Sequence, residues 1–140
     1  MARIAHCCCG SLRVEATGEP TFIAACHCQE CQRRTGAPYG VGAYFERTKV
    51  RAEGASKVYI RDGQERRKLQ MYFCPECGTT VYWEADRLPQ HFGIAVGAFA
   101  DPSFPPPAIS IWERTRHPWV DFSHDLNHFP EAVPVVPAHS

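Results

Sequence analysis

The sequence predicts a mainly β protein: a single, small, zinc-binding domain of antiparallel strands. Short stretches in which apolar and polar residues alternate recur along the chain, and a period of two is typical of strands with one buried face. Helical patterns are few and short. The cysteines fall into three tight clusters, which predicts metal sites that hold the strands together.

Length and composition exclude several classes of protein. The 140 residues are expected to form one domain, 1–140, that ends in an irregular, proline-rich tail at residues 130–140. Lysine plus arginine equals aspartate plus glutamate at 15 each, so bulk charge favours neither nucleic acid nor an acidic membrane as a partner. No apolar run approaches the ~18 residues that span a bilayer, and no export signal precedes the first cysteines. We therefore expect a cytoplasmic protein.

The elements are predicted in order from local patterns. Leu12, Val14 and Ala16 alternate with polar residues and give the first strand. A turn at Asp62-Gly63 is expected to join two later strands. Further strands are predicted at residues 22–26, 40–45, 57–60, 66–73, 79–84, 91–99 and 108–112, and short helices at residues 31–36 and 125–129.

The cysteine spacing favours metal over disulfides. With Cys8 set aside, the clusters are C-x-C, C-x-C-x-x-C and C-x-x-C. Eight cysteines in a secreted chain would suggest a disulfide framework, but such short spacings suit a shared ion better than separate bridges. In the last cluster, Pro75 fixes the backbone between Cys74 and Cys77, and Gly78 permits the tight turn that aims N–H groups at sulfur.

Zinc is the favoured ion. All-sulfur tetrahedral sites select zinc or iron. A Cys-Pro-x-Cys-Gly turn also occurs in rubredoxin-like iron sites, but those usually draw on two similar turns, and the sequence contains only one such motif.

The spacing also suggests how seven thiols are divided between two sites. The middle cluster, Cys26, Cys28 and Cys31, can grip an ion on three sides by itself, whereas neither outer pair fills a site alone. An ion held by the middle cluster would have a fourth coordination position open to water or substrate. An exchange of pairs between the sites stays open. The economical partition joins the outer pairs in one closed site, Cys7, Cys9, Cys74 and Cys77.

Three segments together resemble the glutathione-dependent formaldehyde-activating enzyme family, which includes the relative centromere protein V and has an Mss4-like β fold. Residues 112–122, with Pro118-Trp119-Val120, are similar to the family's C-terminal segment, so the resemblance covers about residues 5–122. The three segments are His6-Cys7-Cys8-Cys9-Gly10-Ser11-Leu12-Arg13, Ala25-Cys26-His27-Cys28-Gln29-Glu30-Cys31-Gln32-Arg33-Arg34-Thr35-Gly36 and Phe73-Cys74-Pro75-Glu76-Cys77-Gly78-Thr79.

The resemblance implies two zinc ions per chain and a carbon–sulfur lyase. The substrate would be a thiol–aldehyde adduct such as S-hydroxymethylglutathione, made from glutathione and formaldehyde. Cys8 occupies the variable position of the family's C-x-C, as a bystander, a redox-sensitive thiol or a misassigned ligand. The implied ligands are Cys7, Cys9, Cys74 and Cys77 for a structural zinc, and Cys26, Cys28 and Cys31 for a second zinc where the chemistry takes place.

Substrate residues are harder to assign. Three thiolates on a divalent ion leave one negative charge, so nearby cations would help an anionic ligand to approach. Arg33 and Arg34 follow Cys31 and suit carboxylates, although surface arginines without a role are the alternative. His27 is expected to face away from the ligands on either side of it. No spacing marks a general acid–base or fourth ligand among His91, His117, His124 and His128. The aromatic residues are expected in the core more often than in a pocket: Tyr39, Tyr44, Phe45, Trp83, Phe92, Trp112 and Trp119.

A non-catalytic, zinc-stabilised binding or carrier module is the alternative function, because a shared scaffold does not fix activity. A histidine or fourth cysteine at the second site would favour the module, whereas water or a small ligand would favour the enzyme. Exposed strand edges make a dimer possible, but no pattern specifies the oligomeric state.

Overall fold

The structure, a computed structural model, describes residues 1–62 and 67–134. Within these ranges there are eleven strands and one α-helix. The helix, α1, is Gln29–Thr35, and 3-10 turns lie at Arg47–Lys49, Val96–Phe99 and Glu113–Thr115. The strands are β1 Ala2–His6, β2 Arg13–Thr17, β3 Phe22–Cys26, β4 Gly40–Glu46, β5 Val50–Glu53, β6 Lys57–Asp62, β7 Lys68–Phe73, β8 Thr80–Ala85, β9 His91–Ala95, β10 Ile109–Ile111 and β11 Asn127–His128.

The strands form two sheets. Among the described residues, a small sheet has the order β1-β2-β5, and a large sheet has the order β11-β10-β3-β4-β9-β8-β7-β6. Pairing is antiparallel except at β10, which runs parallel to both β3 and β11. The predicted mainly β, antiparallel fold is therefore confirmed.

Alternation along the strands gives the large sheet two different faces. Ile23, Ala43 and Ile94 lie side by side across β3, β4 and β9 and are buried in the core. Leu12 and Val14, at the start of the small sheet's second strand, pack into the same core. The intervening residues of β3 and β4 point to the opposite face, which the small sheet does not cover. There the facing pairs are Phe22 with Tyr44, Ala24 with Gly42, and Cys26 with Gly40.

Two element predictions are wrong. Residues 91–99 are not one strand, because β9 ends at Ala95 and a 3-10 turn then buries Phe99, whose ring stacks on Phe104 at 4.7 Å. Residues 125–129 are not helical, because Asn127 and His128 form a two-residue strand beside β10. The predictions did not include β1 or β5.

Other boundaries shift by at most two residues. Helix α1 begins two residues before the predicted segment because Cys28 caps it and accepts a hydrogen bond from the Cys31 N–H. The predicted turn residue Gly63 and the predicted strand start at Arg66 lie outside the described residues, as does most of the tail. Among the helices in residues 1–62 and 67–134, none is long and apolar enough to cross a membrane.

The outer strand β6 exposes three consecutive apolar side chains. Val58, Tyr59 and Ile60 are each about half exposed on a strand that pairs with β7 alone within the described sheet. Such an edge is the type of surface on which the possible dimer was predicted. The dimer stays a prediction.

Candidate metal centres and the adjoining cavity

Four cysteines from two hairpins meet between the sheets. Cys7 and Cys9 lie in the turn between β1 and β2, and Cys74 and Cys77 lie in the turn between β7 and β8. Their sulfur atoms are all within 4.8 Å of one another, with Cys7 and Cys74 each 3.6 Å from Cys9. Cys8 is exposed and lies outside this group. The four sulfurs can hold one metal ion between them.

The two turns that carry these cysteines have similar backbones. Gly10 and Gly78 adopt φ of 83° and 79°, a region that favours glycine. The Leu12 N–H donates to the Cys7 sulfur at 3.2 Å, and the Glu76 N–H donates to the Cys74 sulfur at 3.4 Å. The mechanism expected for Gly78 is therefore present in both turns. The turns differ in detail, because the donor lies five residues after Cys7 and two residues after Cys74, and the choice of zinc over iron stays a prediction.

Local hydrogen bonds favour thiolates in this cluster. Burial raises the pKa of Cys7, but the Leu12 N–H and the Cys9 thiol outweigh it and lower the pKa to about 7. The Thr79 hydroxyl and N–H lower the pKa of the exposed Cys77 to about 5. The pKa of Cys9 is raised, because the neighbouring thiols oppose the donation from Ser11. This donor set suits a soft divalent metal.

A second cluster combines the end of β3 with the start of α1. The sulfurs of Cys26, Cys28 and Cys31 lie within 4.8 Å of one another. In the described part of the chain, no histidine, carboxylate or further cysteine completes this group. His27 lies in the core, as expected, with its Nε2 2.9 Å from the Ser110 hydroxyl and its ring against Tyr39.

The three thiols of this cluster share charge unequally. Hydrogen bonds with Cys28 and Cys31, together with burial, raise the pKa of Cys26. The Cys26 and Cys28 thiols lower the pKa of Cys31 despite its burial, and the nearby charges of Arg34 and Arg61 lower it further. A thiolate held by two thiols and two guanidinium groups is an arrangement in which a divalent cation can replace the thiol protons. The residues therefore fit a metal ion.

The three-cysteine cluster lies in the wall of a cavity of about 460 Å³. The cavity occupies the face of the large sheet that points away from the core. Trp83 forms part of its wall and lies against Gly42 and Gly93, where a Cβ atom would collide with the indole ring. The glycines of β4 and β9 thus make room for the tryptophan, and Phe22 and Tyr44 stack beside it with their ring centroids 4.6 Å apart.

The two predicted substrate arginines separate in the structure. Arg34 lines the cavity, with its guanidinium 4.8 Å from the centre of the Trp83 ring. Arg33 does not line it, because its side chain is exposed and lies 3.5 Å from Glu30. Arg61 of β6 was not predicted from the sequence, yet it lines the cavity, and its charge helps to lower the pKa of Cys31. Arg61 lies thirty positions after Cys31, and only strand pairing brings the two together.

The remaining candidates also divide. The four scattered histidines are absent from the described cavity lining, and each has another polar neighbour. Contrary to the expectation that aromatic residues are core, Tyr44, Trp83 and Trp112 line the cavity. Phe45 is fully buried in the core, and Trp119 is largely exposed.

Comparisons with known proteins found one matching family and a similar solved structure. The family model described as "Glutathione-dependent formaldehyde-activating enzyme" matches residues 2–115. A crystal structure of a Rhodobacter sphaeroides protein, solved as a structural genomics target, is similar with a TM-score of 0.54 and 20% sequence identity, over 74% of this chain and 91% of that chain. At that identity the likeness shows the fold alone. No curated protein matches this chain.

Proposed function

This chain belongs to the glutathione-dependent formaldehyde-activating enzyme family, and we propose on that basis that it is a zinc-dependent carbon–sulfur lyase. Its substrate would be a thiol–aldehyde adduct such as S-hydroxymethylglutathione. The observation that supports an enzyme is the position of the three-cysteine cluster in the wall of a cavity of small-molecule size. A closed structural site needs no such cavity.

The two clusters would hold different zinc ions. Cys7, Cys9, Cys74 and Cys77 would bind a structural zinc with four protein ligands, whereas Cys26, Cys28 and Cys31 would bind a zinc with one position left for substrate. When bound at the second site, zinc would lower the pKa of a thiol or polarise an aldehyde oxygen.

The chain's own residues would supply positive charge beside the thiolates and a hydrogen-bond donor for the carbonyl oxygen. In the addition direction, the thiol sulfur bonds to the carbonyl carbon, and the carbonyl oxygen gains the proton that the thiol lost. Arg34 and Arg61 would offset the negative charge of the three thiolates. Burial raises the pKa of Tyr44 to about 12, so its hydroxyl stays protonated. That hydroxyl accepts the Trp83 Nε1–H at 3.2 Å, and it would donate a hydrogen bond to the carbonyl oxygen, which takes up the thiol proton.

Replacement of Cys28 tests the catalytic assignment. Cys28 caps α1 through its side chain, and serine is itself a favoured cap, so Cys28→Ser is expected to keep the fold. The matched control is Cys8→Ser, on an exposed thiol outside both clusters. Two-dimensional NMR exchange spectroscopy would measure how fast formaldehyde and glutathione interconvert with their adduct.

We expect Cys28→Ser to lose about one zinc per chain and its rate enhancement, while Cys8→Ser keeps both. Full turnover by a Cys28→Ser protein with the second zinc absent would reject the catalytic assignment. Wild-type protein that binds the adduct tightly, yet leaves its rate of interconversion unchanged, would instead establish the alternative function, a binding or carrier module.

A further inference from the structure

The cavity beside the three-cysteine cluster has a large apolar interior. Its volume of about 460 Å³ lies within the roughly 300–1,000 Å³ usual for small-molecule sites, and a hydroxymethyl group has no apolar side chain to place against such walls. The apolar lining comes from five strands of the large sheet (β3, β4, β7, β8 and β10), the turn after β8 and the C-terminal segment. It includes Met71, Trp83, Leu88, Ile109, Ile111 and Val133.

Cationic side chains outnumber carboxylates around this interior. The described lining contains two carboxylates, Glu30 and Asp62, and both lie beside cations: Arg33 at 3.5 Å and Lys68 at 3.2 Å. The lining thus has more cations than carboxylates, although the chain as a whole is neutral. Such surroundings favour a ligand with a carboxylate. The cationic residues of the lining are Arg34, Arg61, Arg67, Lys68, Arg87 and Arg114, of which Arg114 is paired with the carboxylate of Glu131.

A segment beyond the family match completes the cavity wall. Residues 129–134, here called the C-terminal strap, include Val133, which lines the cavity. The carbonyl of Glu131 accepts the Trp112 N–H at 3.2 Å, and its carboxylate lies 2.8 Å from Arg114. Arg87, in the turn after β8, donates to the carbonyl of Val133 at 2.5 Å. The strap is thus fixed to two parts of the large sheet that are not adjacent.

We propose that this cavity selects adducts of aldehydes with an aromatic or branched aliphatic side chain, joined to a thiol that carries a carboxylate. The apolar group would lie between the sheet face and the C-terminal strap, and the carboxylate would pair with the surrounding arginines. The reaction is the same addition, in which one carbon–sulfur bond forms and the thiol proton passes to the carbonyl oxygen. This inference rests on the proposed function and narrows its substrate class.

Unreactive thioethers separate ligand selection from catalysis. Isothermal titration calorimetry of the zinc-loaded protein would compare S-benzylglutathione with S-methylglutathione, which share the glutathione moiety and its carboxylates. One extra methylene in an apolar pocket already changes discrimination by about tenfold or more, so we expect at least about tenfold tighter binding of the benzyl compound. Equal affinities would overturn the inference.

Substitutions locate the preference in the cavity. Val133→Asp on the strap and Leu88→Asn on the turn after β8 are each expected to bring the affinity ratio close to one. The control is Val58→Asp on β6, outside the described lining, which should keep the ratio. Zinc content and thermal unfolding identify any variant that fails to fold, and the other cavity variant then decides. A ratio unchanged in a folded cavity variant would overturn the assignment.

The same samples distinguish the two proposals. If the wild-type protein prefers the benzyl compound but NMR detects no turnover of any adduct, the lyase proposal is rejected and the proposed ligand class is kept. Turnover of the formaldehyde adduct without benzyl preference would keep the lyase and reject the ligand class.

Discussion

The four-cysteine cluster gives the sharpest test of what holds this fold together. It ties the β1–β2 hairpin of the small sheet to the β7–β8 hairpin of the large sheet. Cys74 is fully buried and accepts the Glu76 N–H, so Cys74→Ser removes a thiolate from the centre of this tie. Cys8→Ser is the matched control, because the Cys8 side chain is exposed and only its backbone N–H bonds to Thr79.

The expected loss is large relative to the stability of a small protein. Structural zinc in thiolate sites has apparent binding free energies of about 10–16 kcal/mol, whereas the whole free energy of unfolding is typically about 5–15 kcal/mol. If one ligand carries about a quarter of the zinc energy, Cys74→Ser costs at least about 2.5–4 kcal/mol, and more when the ion is lost altogether. For a chain of this length, that corresponds to a fall in Tm of about 10 °C or more.

The assay is thermal unfolding followed by circular dichroism, with elemental analysis of zinc on the same samples. We expect two zinc ions per chain and an unchanged Tm for Cys8→Ser, and one zinc and the lowered Tm for Cys74→Ser. A Cys74→Ser protein that lost its zinc yet melted within about 2 °C of the control would refute the view that this site contributes folding energy.

Two further predictions concern the cavity face of the large sheet. Gly42→Ala places a Cβ 2.7 Å from Trp83 Cζ2 and should cost about 1–3 kcal/mol of unfolding free energy, measured in urea. The control is Gly97→Ala, whose Cβ would have no atom within 4 Å and which should be near neutral. Equal costs for the two variants would contradict the packing argument. Tyrosine in the unfolded chain ionises near pH 10, whereas Tyr44 in the folded protein keeps its proton to about pH 12. The unfolded state therefore binds fewer protons between pH 10 and 12. The free energy of unfolding falls as pH rises through this window, by about 2–3 kcal/mol in total. Tyr44→Phe should make this decline shallower by that amount, and an unchanged slope in urea unfolding between pH 10 and 12 would show that Tyr44 does not cause it.

Local sequence was sufficient where the chemistry is local. The grouping of Cys26, Cys28 and Cys31 follows from their spacing, because three residues within six consecutive positions cannot lie far apart. The turn at Gly78 was likewise predictable from the need for φ > 0. The matching turn at Gly10 was missed because it follows a C-x-C and not a C-x-x-C, although the backbone requirement is the same.

The cavity was not predictable from local pattern. Aromatic residues on strands look alike whether their face is covered by another sheet or left open, so Phe45 and Tyr44 gave the same signal. The difference depends on which face of the large sheet the small sheet covers. Gly42 and Gly93 offered a hint, since glycine within a strand indicates the close approach of another group, here the ring of Trp83.

The positive charge at the three-cysteine cluster depends on strand pairings that no sequence motif indicates. Arg61 reaches the three-cysteine cluster because β6 pairs with β7 in the register Arg61↔Leu69, which turns both residues toward the cavity. A slip of one residue would turn Arg61 away from it. Residues 130–140 were expected to be an irregular tail. The described part of it, residues 130–134, has no regular structure of its own, yet hydrogen bonds to Trp112 and Arg87 hold it. The cysteines fix where a metal can bind, but the selectivity of the site is decided by these long-range contacts, so two chains with identical cysteine spacing can differ in substrate.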